Sequence, residues 1–134
     1  MRRLLVDTGP LVALANAAER RHRAAVDFFR GFDGALLTTV AVIAEVCALL
    51  PRHRIALFLR DAGRTNFTLV HVPERELPVL AVLMEKSADR PMVFADASLL
   101  WLADTLGLAD ITTLNGGFHH YRTRRGRALR NRFL

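Results

Sequence analysis

Asp7, Glu45 and Asp96 are acids in apolar company. Asp7 closes the apolar run Leu4-Leu5-Val6, where the chain turns towards a helix. Glu45 is the only charged side chain between Val40 and Leu50, and a lone buried carboxylate is expensive unless a cation or hydrogen bonds compensate it. Asp96 opens the mostly apolar run 97–103. Each has a local explanation. Asp7 and Asp96 can be helix N-caps, with Ser98 bonding locally to Asp96, and Glu45 can pair with an arginine at a helix edge. Jointly they are three carboxylates from three segments, a donor set that suits Mg²⁺ or Mn²⁺. Such an ion activates water and stabilises the leaving oxygen of a phosphodiester. Asp104 lies on nearly the same face as Asp96, but eight residues at helical rise put it about 12 Å away, too far to share an ion.

The elements that must position these acids follow from periodicity and punctuation. Short apolar or β-branched runs predict strands at 4–6, 35–38, 67–72 and 111–114. Helices are expected from Thr8 to about Ala17, with Pro10 in the first turn, and over 20–30, where Ala24, Ala25, Phe28 and Phe29 oppose four arginines. Further helices are expected over 40–50 behind an N-cap at Thr39, and over 53–62, 74–88 and 95–106, the last closed by Gly107. The helix at 40–50 is apolar all round, which predicts burial. Gly116-Gly117 reads as a turn. Strands alternating with helices predict an α/β protein whose parallel sheet is covered on both faces.

The chain of 134 residues fits one domain over 1–134, and 51% hydrophobic residues exclude global disorder. Its net charge of +6 is concentrated at one end. Arg122, Arg124, Arg125, Arg127, Arg130 and Arg132 supply the whole excess, and no acid follows Asp110. The segment 122–134 is therefore a basic end attractive to phosphates, or a solvated and partly disordered terminus. Lys86 is the only lysine, so the choice of arginine at this end carries little information by itself. The single cysteine, Cys47, excludes an internal disulfide and a multi-cysteine zinc site, which fits a reducing cytoplasm. No segment is apolar enough for a membrane span. Arg2-Arg3 and the residues after them loosely imitate an export signal, but Asp7, Gly9 and Pro10 interrupt it.

Four segments in order resemble the PIN-domain ribonucleases: 6–14 around Asp7, the Thr38-Thr39 strand end followed by Glu45, 96–107 around Asp96, and 111–118. The size and character of the chain are similar to VapC-type toxins of toxin–antitoxin pairs. The resemblance implies a three-layer fold, with a central parallel sheet of four or five strands flanked by helices. It implies a Mg²⁺- or Mn²⁺-dependent endoribonuclease, a homodimer and a cognate antitoxin in the active-site groove. It makes Asp7, Glu45 and Asp96 the catalytic metal ligands, with Thr8, Thr113 and Ser98 supporting them. Arg122, Arg124 and Arg125 become contacts for RNA backbone or antitoxin. Two other readings stand beside it: a non-catalytic PIN-like module that binds RNA or antitoxin, and an unrelated α/β domain whose acids are caps and ion pairs.

Other features carry less. Cys47 reads as a buried structural thiol, Trp101 as core or dimer interface, and His119-His120-Tyr121 as groove or surface. Gly116-Gly117 lacks the lysine and spacing of a phosphate loop. The chain departs from the family at Asn115, where an Asp is usual, and at Gly117, where another acid is frequent. Asn115 is then a weak fourth ligand or an outer support, and metal affinity is expected to be lower than in a four-acid relative. Titration calorimetry with Mn²⁺ checks this: Asn115→Asp should bind the ion markedly more tightly, and unchanged affinity refutes the expectation.

Overall fold

Leu4, Leu5 and Val6 are fully buried, as a strand with helices on both faces requires. They form β1 (Arg3–Val6) at the centre of a five-stranded sheet. Its companions are β2 (Ala35–Thr39), β3 (Phe67–Val70), β4 (Asp110–Thr112) and β5 (Arg130–Asn131), in the order β3-β2-β1-β4-β5. All four pairings are parallel. The computed structural model describes residues 2–64, 67–87 and 89–133.

Six helices connect the strands: α1 (Thr8–Ala15), α2 (His22–Gly31), α3 (Val40–Leu49), α4 (Arg52–Ala62), α5 (Leu77–Lys86) and α6 (Phe94–Leu106). Helix α6 packs against α3, α5 and β2, and every residue from Ala95 to Ala103 is buried. From β1 the chain moves outwards through β2 to β3, then crosses to the other side of β1 for β4 and β5. The order reverses between β1 and β4. In an open parallel sheet the crevice beyond the carboxyl ends of such a pair is where ligands bind.

The element boundaries differ from the sequence expectations for local reasons. Helix α1 stops at Ala15 because Asn16 is extended and its side chain accepts from the Ala18 N–H, an alternative to helix. The segment expected as one helix over 74–88 begins as a 3₁₀ turn at Glu74–Glu76, and Ala88 lies outside the described residues. The third strand ends at Val70 rather than at 72. Strand β4 ends at Thr112 rather than at 114, because the Asn131 side chain takes both the N–H and the C=O of Thr113. Gly116-Gly117 opens a 3₁₀ turn that runs to His119.

Two larger expectations are corrected. Helix α3 is not buried all round. Val42 and Val46 face the core, whereas Val40 is 57% and Leu49 61% exposed, because only one side of the helix meets α1, α6 and β2. The basic end is not a loose tail either. Its chain returns to the sheet as β5, and Arg130 and Arg132 donate backbone N–H groups to Ala109 and Ile111. Both guanidinium groups reach Asp110, at 3.0 and 3.3 Å. Leu129 and Phe133 are buried. Among the described residues no helix is long and apolar enough to cross a membrane.

Deleting residues 129–134 should therefore destabilise the protein by about 3–6 kcal/mol, the burial contribution of the two large apolar side chains that are lost. Urea denaturation checks it: a solvated tail would leave the midpoint where it was.

Candidate active site

The crevice beyond β1 and β4 is a cleft of about 510 Å³. Asp7 follows the last residue of β1, and Asn115 leaves β4 three residues after its end. Glu45 projects from the middle of α3, and Asp96 from the first turn of α6. All four line this one cleft. The structure thus brings together the three acids and the asparagine that the sequence singled out.

The local explanations for these acids fare differently. Asp7 occupies the N-cap position of α1, yet its carboxylate makes no cap bond. Its Oδ2 accepts from the Thr113 hydroxyl at 2.6 Å, and its buried Oδ1 has no hydrogen-bond partner among the described residues. Glu45 has no ion pair among the described residues; it accepts from the Thr8 hydroxyl. Asp96 does cap in part, since its Oδ2 accepts from the Val93 N–H at 3.2 Å.

Electrostatics set these groups apart from ordinary surface acids. Burial raises the pKa of Asp7, opposed by the Thr113 hydroxyl and the Thr8 backbone N–H and increased by the Glu45 charge. Burial likewise pushes Asp96 up to about 6, and the charges of Asp7 and Glu45 add to it. The Val93 N–H and the Asn115 amide pull the other way. Hydroxyls and amides thus surround a set of like charges that has no cationic side chain bonded to it among the described residues.

The supporting residues divide. Thr8 and Thr113 touch the acids directly, as described. Ser98 does not: its hydroxyl donates to the Ala95 carbonyl and pairs with Thr39 Oγ1 at 2.7 Å, tying α6 to the start of α3. Asn115 Nδ2 donates to Asp96 at 3.5 Å, while its Oδ1 accepts from the Gly117 N–H at 2.8 Å. Its donor end, not its oxygen, thus faces the acid, which is the placement of an outer support. Gly117 has no room for the acid frequent there. A Cβ would stand 2.8 Å from the Tyr121 hydroxyl.

The tail arginines are not at the cleft. Arg122 donates to the carbonyls of His119 and Tyr121. Arg124 and Arg125 line a separate cavity beside Trp101 and Asp104, and the Arg124 N–H bonds Asp104 at 2.6 Å. The cleft is lined instead by Arg20 and Arg21. The sequence placed these two on the polar face of a helix starting at residue 20; that helix begins at His22, which leaves them on the loop before it. Tyr121, expected at the surface or in a groove, is buried, and its hydroxyl donates to the Pro91 carbonyl at 2.5 Å. Asn131, which clamps Thr113 behind Asp7, gave no sequence signal.

A model of the PIN domain family matches residues 4–123. The chain belongs to the PIN domain family. Among solved structures it is similar to the crystal structure of Mycobacterium tuberculosis VapC20, described as a sarcin–ricin loop cleaving toxin. The TM-score is 0.78 at 21% identity, over 84% of this chain and 90% of that one, a likeness of fold. No curated protein matches the sequence at a significant level.

The donor set fits a hard divalent cation. An orphaned buried carboxylate oxygen and two acids with raised pKa in one cleft are the state such an ion relieves. Among the described residues no three acidic, histidine or cysteine groups form a ready-made cage.

The raised Asp96 pKa makes a stability prediction for the metal-free protein. The folded state holds the Asp96 proton up to about pH 6, the unfolded state only to 3.8, so stability falls as pH rises between them. The full loss is roughly 3 kcal/mol by the one-unit equivalence. In EDTA, Asp96→Asn should be more stable than the parent at pH 7.5 by up to that amount, with the difference shrinking towards pH 4. Urea midpoints at the two pH values decide it; equal midpoints at pH 7.5 would refute the strain.

Proposed function

We propose that this chain is a metal-dependent endoribonuclease, the toxin of a type II toxin–antitoxin pair, and that residues 1–134 act as one PIN-like domain. The observation that carries the reading is the convergence of Asp7, Glu45 and Asp96 on the cleft between β1 and β4, with Asp7 Oδ1 unpartnered among the described residues. Mg²⁺ or Mn²⁺ is the ion proposed, with Asp7, Asp96 and Glu45 as its holders. When bound it supplies positive charge to the scissile phosphate and lowers the pKa of water.

The chain's own groups do the rest. Thr113 orients Asp7 by donating to one oxygen, while the other, buried oxygen has no hydrogen-bond partner among the described residues. Thr8, at the start of α1, restrains Glu45 on α3. The Asn115 amide steadies the Asp96 carboxylate without adding charge. Arg20 and Arg21 give the mouth of the cleft positive charge for an RNA backbone.

Arg122, Arg124 and Arg125 are proposed as a second anionic contact, away from the carboxylates, for RNA or for the antitoxin. The exposed apolar side chains of Val40, Leu77, Val93 and Phe94, which line a groove next to Glu45, suit a protein partner. Antitoxin binding, a homodimer and a cytoplasmic location complete the proposal. One observation favours a second reading, a non-catalytic binding module: Asn115 gives the cleft one carboxylate fewer than the usual set and turns an amide donor towards Asp96.

Cleavage of a mixed RNA pool at low salt, with a sarcin–ricin loop fragment beside it, tests the first reading. Cutting should require Mn²⁺ or Mg²⁺, stop in EDTA, and fall about 100-fold or more in Asp7→Asn. Folded, antitoxin-free protein that binds RNA and never cuts it would select the binding module.

A further inference from the structure

The main cleft does not end at the carboxylates. A second cavity of about 200 Å³ adjoins it, lined by Gly116, Phe118 and His119 among others. Arg21, Leu114 and Asn115 line both cavities and so form the wall they share.

The position of each shared residue is built. Leu114 is 38% exposed, a large apolar side chain at the rim. It rests on bare Gly9, where a Cβ would stand 2.9 Å from the Leu114 Cβ. Any larger residue at position 9 would push the ridge aside. Arg21 sits on a loop tied by three bonds: the Glu19 N–H to the Asn16 carbonyl, the His22 N–H to the Glu19 carbonyl, and the His22 ring to the Ala13 carbonyl at 2.8 Å. Its guanidinium makes no ion pair or hydrogen bond among the described residues. His119 is exposed and lines the second cavity.

An uncommitted guanidinium, an apolar ridge and an exposed imidazole around two adjoining cavities, one of them carrying the carboxylates, are the groups that hold phosphate and base of a single strand. Phosphate pairs with arginine. A splayed base lies against apolar surface and stacks on histidine, which is how single-stranded RNA is held. A duplex has no splayed base to offer such a pocket.

We propose that the cavity beyond Leu114 is a nucleotide subsite. Arg21 contacts the backbone phosphate next to the scissile one, and Leu114 and His119 hold the base attached to it. The subsite rests on the ribonuclease reading for its biological sense, but its test does not need catalysis.

The test is binding of a fluorescently labelled single-stranded RNA decamer in EDTA, titrated over salt. Asp7→Asn serves as a second, non-cutting background. Arg21→Ala should weaken binding and reduce the salt slope by about 0.7, the value of one phosphate contact on a single strand. Arg21→Lys should keep that slope. His119→Ala should weaken binding by about tenfold at unchanged slope, as loss of one stacked base does. Both side chains are exposed, and thermal midpoints equal to the parent's confirm the fold. Parent-like affinity and slope in Arg21→Ala would overturn the subsite, as would parent protein that does not bind the decamer. Loss of poly-glutamate binding with RNA binding intact would overturn it too, and assign Arg21 to an acidic protein segment. Normal binding behaviour with no metal-dependent cutting would support the subsite while defeating the catalytic reading.

Discussion

Like-charge crowding at the carboxyl end of β1 is the constraint from which the site follows. Asp7, Glu45 and Asp96 share a cleft whose walls remove much of the water that would screen them. No basic side chain bonds to any of the three among the described residues. The fold tolerates this because neutral donors distribute the charge: Thr113 on Asp7, Thr8 on Glu45, and the Val93 N–H with the Asn115 amide on Asp96. Neutral donors steady a carboxylate without cancelling it. The arrangement therefore keeps an attraction for a cation that a buried ion pair would have extinguished.

The sheet order explains why these residues meet. Strands adjacent in space but distant in sequence, β1 and β4, deliver Asp7 and Thr113 side by side, 106 residues apart. Helix α6 packs on β2 and is buried from Ala95 to Ala103, so packing fixes Asp96 together with its bonds from the Val93 N–H and the Asn115 amide. The C-terminal segment adds the last support. Asn131 holds Thr113 by both backbone groups, and Thr113 holds Asp7. The Asp110 pairs with Arg130 and Arg132 fasten β5 to β4 just below this relay.

Much of this was legible in the sequence because it is local. Strands β1, β2 and β4, the N-cap at Thr39 and the helix closed by Gly107 all announce themselves by apolar runs and punctuation. The acids stood out because apolar neighbours make a charge conspicuous. What escaped depends on tertiary contacts. The two-residue β5 has no periodicity to detect, and six arginines masked its role by resembling a free tail. The exposure of Val40 and Leu49 could not be read from α3, because apolar composition does not say how many sides of a helix find partners. Arg20 and Arg21 were misplaced by two residues at a helix start, enough to move them from a solvent face to the mouth of the cleft.

Asn115 and Tyr121 together change the meaning of the missing acids. The Tyr121 side chain fills the space above Gly117, and its hydroxyl is engaged by the Pro91 carbonyl on the cleft wall. An acid at 117 would have to displace that ring, so its absence is coupled to packing. The Asn115 amide, turned towards Asp96, offsets part of the repulsion that a fourth carboxylate would have deepened. An uncharged amide at 115 therefore adds less repulsion to the cleft than a carboxylate there would. Burial and the charges of Asp7 and Glu45 already push Asp96 up to about 6, and a further carboxylate would push it in the same direction. A folded protein that carries fewer unbalanced charges loses less stability to their mutual repulsion.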